Sequence, residues 1–215
     1  MRIPSRLIPL LTAVASAALL PAGTAHAEIA SYTSQSAYLG AVGTTGVDTF
    51  DDLVLDQFDT PLARTAGAWS YTASITNNIG YGASDDDADI WLTTAGAEDT
   101  ITFAGFGTGV AGAGGFFFGS DLFGYSQPIG SITITATDSD GTTVTQVIDN
   151  PDTGSFVGFV STTYLTSLSV SVAGADGFAT VNDLHLSAPV PEPSTYALLL
   201  AGLGVLGHAV RRRRC

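Results

Sequence analysis

Four aspartates crowd one short stretch, at Asp85, Asp86, Asp87 and Asp89. Carboxylates this close repel one another unless water or a hard cation lies between them, and calcium accepts about six to eight such oxygens. Asp85, Asp87 and Asp89 are therefore candidate metal ligands, with calcium the cofactor they suit. A solvated acidic turn is the competing reading. Trp69, Tyr71, Tyr81 and Trp91 fall near this loop in sequence. Indole and phenol faces stack on the apolar faces of sugars while Asp and Asn accept from hydroxyls, which makes Trp69 and Trp91 candidate ligand contacts; the alternative is that they fill the core.

Other chemistry has less to stand on. Ahead of Cys215 the chain has no cysteine, it has no lysine anywhere, and His185 is the one histidine between Glu28 and Val190. In VNDLHLS, alternation sets His185 on the face opposite Leu184 and Leu186, as an exposed or structurally hydrogen-bonded strand residue. No nucleophile-elbow sequence supports a Ser-His-Asp triad. Glycoside hydrolysis needs two carboxylates facing a sugar ring, and the aspartates are abundant but lack a fixed context; the only glutamates of the body are Glu28 and Glu98. Asp138 and Asp140 in DSDG look like the start of an EF-hand loop, yet the later acceptors are missing and a hairpin turn accounts for them. The front cluster of Asp48, Asp51, Asp52, Asp56 and Asp59 reads in part as strand ends.

The elements that must position these residues are strands. From Val47 to Ser187 the apolar pattern has period two, rich in Thr, Val, Ile, Phe and Tyr and punctuated by Gly, Asp and Pro. In IGSITITATDSDGTTVTQVID, Ile132 and Ile134 alternate with threonines, Asp140-Gly141 turns the chain, and Val144 and Ile148 lie on the return. Further strands are expected over 69–75, 89–94, 100–103, 115–119, 156–161, 165–172 and 178–186, with one short helix over 34–42. The spacing predicts an all-β, antiparallel two-sheet sandwich, jelly-roll-like. In GFGTGVAGAGGFFFG the glycines allow tight turns and close packing of sheets around Phe116, Phe117 and Phe118.

Charge and the chain ends set the compartment. Six of the seven arginines lie at the ends, so between Glu28 and Val190 only Arg64 faces 19 acidic residues, a formal charge of −18. Binding to nucleic acid is excluded, because it needs clustered Lys or Arg. The first 27 residues have a two-arginine start, an apolar stretch from Leu7 to Leu20 and the small-residue cleavage signal Ala25-His26-Ala27, the order of a secretory signal peptide. A body without cysteine rests on its core rather than on disulfides.

The last residues read VPEPSTYALLLAGLGVLGHAVRRRRC. A helix over 195–210 rises about 24 Å, short of a hydrocarbon core near 30 Å, and spans it if the arginines snorkel. Pro191 and Pro193 bar its extension backwards, and Arg211, Arg212, Arg213 and Arg214 hold its end inside the cytoplasm by the positive-inside rule. The motif Val190, Pro191, Glu192, Pro193 and Ser194, followed by this apolar span and the arginine block, resembles the PEP-CTERM sorting signal of Gram-negative bacteria. The resemblance implies processing near Pro-Glu-Pro by a membrane-embedded exosortase, a cysteine transpeptidase, and a link to exopolysaccharide and biofilm production. FDDL, GFGTG with GGFFFGSD, GSITITATDSDG, FVGFVST and FATVNDLHLS resemble the β-sandwich domains often attached to this signal, whose last strand carries an acidic-amide pair, here Asn182-Asp183, as the closure of a calcium or turn network.

Together these readings give a signal peptide over 1–27, a sandwich over 28–188, a linker over 189–194, a transmembrane helix over 195–210 and a basic tail over 211–215. The expected protein is exported, anchored in the membrane at least transiently and non-enzymatic. It acts in an extracellular polysaccharide matrix as a calcium-supported glycan-binding module, or alternatively as a purely structural surface protein, with a carboxylate-dependent hydrolase as the third reading.

Overall fold

The computed structural model describes residues 28–174, 177–190 and 199–203. The expected signal peptide with Ala25 and Ala27, the motif residues Pro191 to Ser194, and Arg211 to Arg214 lie outside them. Of the expected tail helix, residues 199–203 are described and helical, and among the described residues no helix is long and apolar enough to cross a membrane.

In chain order the strands are β1 Ile29–Tyr32, β2 Thr45–Asp48, β3 Gln57–Asp59, β4 Leu62–Ala66, β5 Trp69–Ile75, β6 Ile79–Ala83, β7 Trp91–Thr94, β8 Thr100–Ala104, β9 Gly112–Ser120, β10 Ser126–Gln127, β11 Ser131–Asp138, β12 Thr143–Asp149, β13 Phe156–Ser161, β14 Leu165–Val172 and β15 Phe178–Ser187. One sheet runs β1-β13-β9-β15-β7-β6-β3, with β10 on β9 and β2 on β15; the other runs β12-β11-β14-β8-β5-β4. Every pairing is antiparallel. From β7 onward the chain crosses repeatedly between the sheets, which gives the jelly-roll-like sandwich that the sequence predicts.

Period two does what alternation requires. Along β11, Ile132, Ile134 and Ala136 are fully buried while Ser131, Thr133 and Thr135 face outward, and Ile101, Phe103, Leu168 and Val170 extend the same inner layer. Asp138 ends β11 by accepting from the backbone N–H of Asp140 (3.0 Å) and Thr142 (2.9 Å), so this aspartate closes the hairpin, in agreement with the turn reading. The short helix α1, Gln35–Ala41, starts at Ser34, whose side chain accepts from Ala37 N–H, and buries Tyr38 against Phe156.

Strands β5, β13 and β14 match their predicted limits, whereas β7 starts at Trp91 rather than Asp89. Asp86 accepts from the N–H of Ala88 and Asp89 and holds that stretch in a turn. The pattern missed β6, because IGYGA presents glycines where alternation would need bulk. In β9 they pack as expected: Gly114 lies against Gly158 of β13.

Both ends of the sandwich leave from one pole. Ser187 pairs with Gly112, Val160 pairs with Gly112 on the other side, and Ile29 pairs with the adjacent Ser161. Ala188 is still pinned there, donating to Thr44 O (2.9 Å) and accepting from Gly43 N–H (2.8 Å). Phe178, at the start of β15, lies about 30 Å away along the strand.

Candidate functional site

At the Phe178 pole, a cleft of about 260 Å³ is lined by Leu55, Asp56, Tyr81, Thr93, Asp121, Phe123 and their neighbours. Strands β6 and β7 form its floor, and two segments of irregular backbone form its rims.

The first rim is the loop Asp121-Leu122-Phe123-Gly124-Tyr125. Asp121 organises it: its Oδ1 accepts from Phe123 N–H (2.8 Å) and Tyr125 N–H (3.0 Å), while its own N–H donates to Tyr125 O (2.8 Å). Gly124 adopts φ 88° and lies so close to Ala83 that a Cβ at this position would collide with it, and its carbonyl accepts from Trp91 Nε1–H (3.1 Å). Asp85 clamps the far end, Oδ1 accepting from Ser126 N–H (2.8 Å) and Oδ2 from Ser126 Oγ–H (2.5 Å). A loop bonded at so many points has no need to bury its side chains, and Leu122 and Phe123 are 78% and 81% exposed.

The second rim is the turn from Phe50 to Asp56, which brings exposed Leu55 and Asp56 to the cleft. Behind it, Gly82 donates to Asp56 O (3.2 Å), and any side chain at Gly82 would strike the Val54 carbonyl. In front, Arg64 forks onto two carboxylates. Its Nε and Nη2 donate to Asp48 (2.9 and 2.5 Å), and its Nη1 and Nη2 donate to Asp52 (3.0 and 2.6 Å). Tyr71 Oη–H adds a 2.6 Å bond to Asp48, and the guanidinium lies 5.4 Å over the Phe50 ring. Arg64 hydrogen bonding holds the Asp52 carboxyl below its ordinary range; burial, with the Asp48 charge beside it, pushes the Tyr71 phenol up. The one basic residue of the body thus fixes the turn that carries Leu55 and Asp56.

Beneath the cleft Thr93, Ser120 and Thr180 close a triangle of buried hydroxyls at 2.8, 2.9 and 2.9 Å, so that no oxygen there is left without a partner. At the opposite end of β15, His185 is 2% exposed. Its Nδ1–H donates to Asp183 O (2.6 Å) and its Nε2 accepts from Gln35 (3.1 Å), and burial holds its pKa below the usual value. It is the hydrogen-bonded strand residue of the sequence reading, though buried where alternation allowed exposure. Asn182-Asp183 forms a bulge in the β15–β9 pairing, with Asp183 at φ 50° and Asn182 donating to Asp89 (2.8 Å). Burial first, then the nearby charges of Asp89 and Asp51, raise the Asp183 carboxyl.

The sequence candidates are redistributed. Asp85 and Asp89 turn to different partners, Ser126 and Asn182, while Asp87 is exposed at φ 63°. Among the described residues no group of three or more His, Cys, Asp or Glu side chains could hold a metal ion. Trp91 is 3% exposed and packs edge-on against Phe118 at 5.1 Å, so the structure corrects its role as a sugar contact: both of its faces are inside. Trp69 is half-buried against the main core. The Asp121–Tyr125 loop escaped the sequence reading, although Asp at the first and Gly at the fourth position, as in Asp121 to Gly124, suit a type I turn.

Fold and site define an antiparallel two-sheet sandwich that displays an apolar-rimmed cleft at the pole opposite Ile29 and Ala188. Its tail then places it: residues 189–214 match the family model described as the PEP-CTERM protein-sorting motif, so the chain carries that sorting signal, which implies a secreted, exosortase-processed surface protein. No curated protein matches the chain in sequence. Among solved structures it is similar to an F5/8 type C domain from Bacteroides fragilis, at 15% identity and TM-score 0.35, over 60% of this chain and 97% of that one. It is also similar to the CBM22 tandem domain from Paenibacillus barcinonensis, at 14% identity and TM-score 0.34, over 71% and 48%. The family 11 carbohydrate-binding module from Clostridium thermocellum, solved with a mixed-linked tetrasaccharide, gives 8% identity and TM-score 0.28 over 69% and 98%. Likenesses this distant say nothing about what the present chain binds.

Proposed function

We propose that this protein is a non-enzymatic surface module that an exosortase sorts through its tail and that binds extracellular polysaccharide at the Phe178 pole, within the matrix outside the cell. Before processing, the span over 195–210 holds it in the membrane with the arginines inside. The observation that carries the binding reading is the cleft: outward-facing Leu122 and Phe123 on a loop that Asp121 and Asp85 tie down, beside Tyr81 and Asp56, at the pole away from Ile29 and Ala188. Apolar side chains kept in water by a rigid loop gain by covering the apolar face of a sugar, with carboxylates and hydroxyls at hand for its polar edge. Asp56 and Asp121 each commit an oxygen to backbone N–H groups, Gln57 for the former, which supports positioning rather than proton transfer.

A glycan array run with the 28–190 domain, with and without chelator, tests the binding. Signal that disappears in Leu122→Ala and Phe123→Ala supports it, and an empty array favours a structural surface protein. Loss of signal only with chelator would bring in calcium, and turnover of a bound polysaccharide would favour a hydrolase. For sorting, deletion of Pro191 to Cys215 should release or misplace the protein; unchanged surface retention would sink that part.

A further inference from the structure

We infer that the cleft selects saccharides bearing free amines over neutral and anionic ones; this rests on the glycan reading above and adds the charge class of the ligand. Asp56 and Asp121 both line the cleft, and among the described residues no Lys, Arg or His does. The body around it carries −18, and its single Lys or Arg, Arg64, is tied to Asp48 and Asp52 and is not part of the cleft lining. A uronate or sulfated sugar would enter a uniformly negative field with nothing in the lining to pair with it. An ammonium group gains from the same field and from both carboxylates. The rings of Tyr81 and Phe123 add the face that cations favour. At about 260 Å³ the cleft is smaller than the roughly 300–1,000 Å³ of drug-sized sites, which suits one sugar ring rather than a long chain segment.

The rest of the molecule offers weaker candidates. In the hollow lined by Asp48, Asp51, Asp52, Arg64 and Tyr71, the guanidinium is taken up by Asp48 and Asp52, and Asp51 accepts from Ile90 N–H. The carboxylates of Asp51, Asp89 and Asp183 lie near one another but have nothing beside them that points to a ligand.

Titration calorimetry of the 28–190 domain with short glucosamine oligomers, N-acetylglucosamine oligomers, neutral glucan oligomers and uronate oligomers reads the preference. Glucosamine oligomers should bind tightest, weakening as salt is raised, and uronate oligomers should not bind. Asp56→Asn keeps the acceptor for Gln57 N–H and should weaken the amine ligand roughly tenfold, several times more than it weakens the N-acetylated one. Asp140→Asn, at the remote hairpin tip, removes the same charge and should change nothing. Equal binding of neutral and amine-bearing oligomers would overturn the charge selection and leave the glycan reading standing. No binding by any oligomer would overturn both. An equal effect of Asp140→Asn and Asp56→Asn would mean bulk adsorption to an acidic protein and would also overturn the inference.

Discussion

Arg64 and Asp48 form a forked pair, with Nε to Oδ2 at 2.9 Å and Nη2 to Oδ1 at 2.5 Å, in which Asp48 is almost wholly buried. It joins the end of β2 to the middle of β4 and fixes the start of the turn that ends at the cleft.

Removing one partner of a buried pair leaves the other charge uncompensated. Arg64→Met should therefore cost about 3 kcal/mol, and Arg64→Lys should recover only part because an ammonium cannot fork. Urea melts give the stability and calorimetry the accompanying loss of saccharide affinity. The Asp52 carboxyl, held below its ordinary 3.8 by Arg64, contributes stability that is fully present above that value and lost as pH falls through the lower folded one. The acid slope of stability below about pH 4 should flatten in Arg64→Met.

His185 works in a higher window. Its folded pKa lies below the ordinary 6.5, so the unfolded chain takes up the proton first and stability falls as pH drops below that value. Melts of wild type and His185→Gln across roughly pH 7 to 5 should differ in slope, the variant being flatter; parallel curves would show that the ring protonates as easily folded as unfolded.

The two aromatic residues at the cleft should separate stability from binding. Phe123→Ala removes an exposed ring and should change stability by no more than about 0.5 kcal/mol while abolishing saccharide binding. Trp91→Ala opens a cavity under the loop and should cost about 3–5 kcal/mol. If Phe123→Ala binds as wild type does, the rim is not the contact.

Asp85 holds the rim loop through both of its bonds to Ser126. Asp85→Ala should speed amide exchange in residues 121–126 and weaken binding. Calcium should leave the melting temperature unchanged, and a rise reversed by EDTA would reveal a site.

The two-pole arrangement can be read on cells, since the body has no cysteine. An impermeant maleimide should label Leu122→Cys freely and Thr44→Cys poorly while the protein is held at the cell surface, with equal labelling once the 28–190 domain is purified. Equal labelling on the cell surface would place the cleft no farther from the attachment than Thr44.

Features that repeat locally or stand alone could be read from the chain directly: the alternation of Ile132 and Ile134, the Asp140-Gly141 turn, the charge of the body and the Val190 to Ser194 motif with its arginines. Each is legible because its physical cause lies within a few residues. The cleft was not legible, because it is made by Asp85 reaching Ser126, Arg64 reaching Asp48 and Asp52, and Gly82 admitting the Val54 carbonyl. Those partners are far apart in the chain and meet only when two sheets close on each other. The same closure decided Trp91 against the surface and Phe123 for it: alternation says which residues share a face, but only packing says whether anything covers that face.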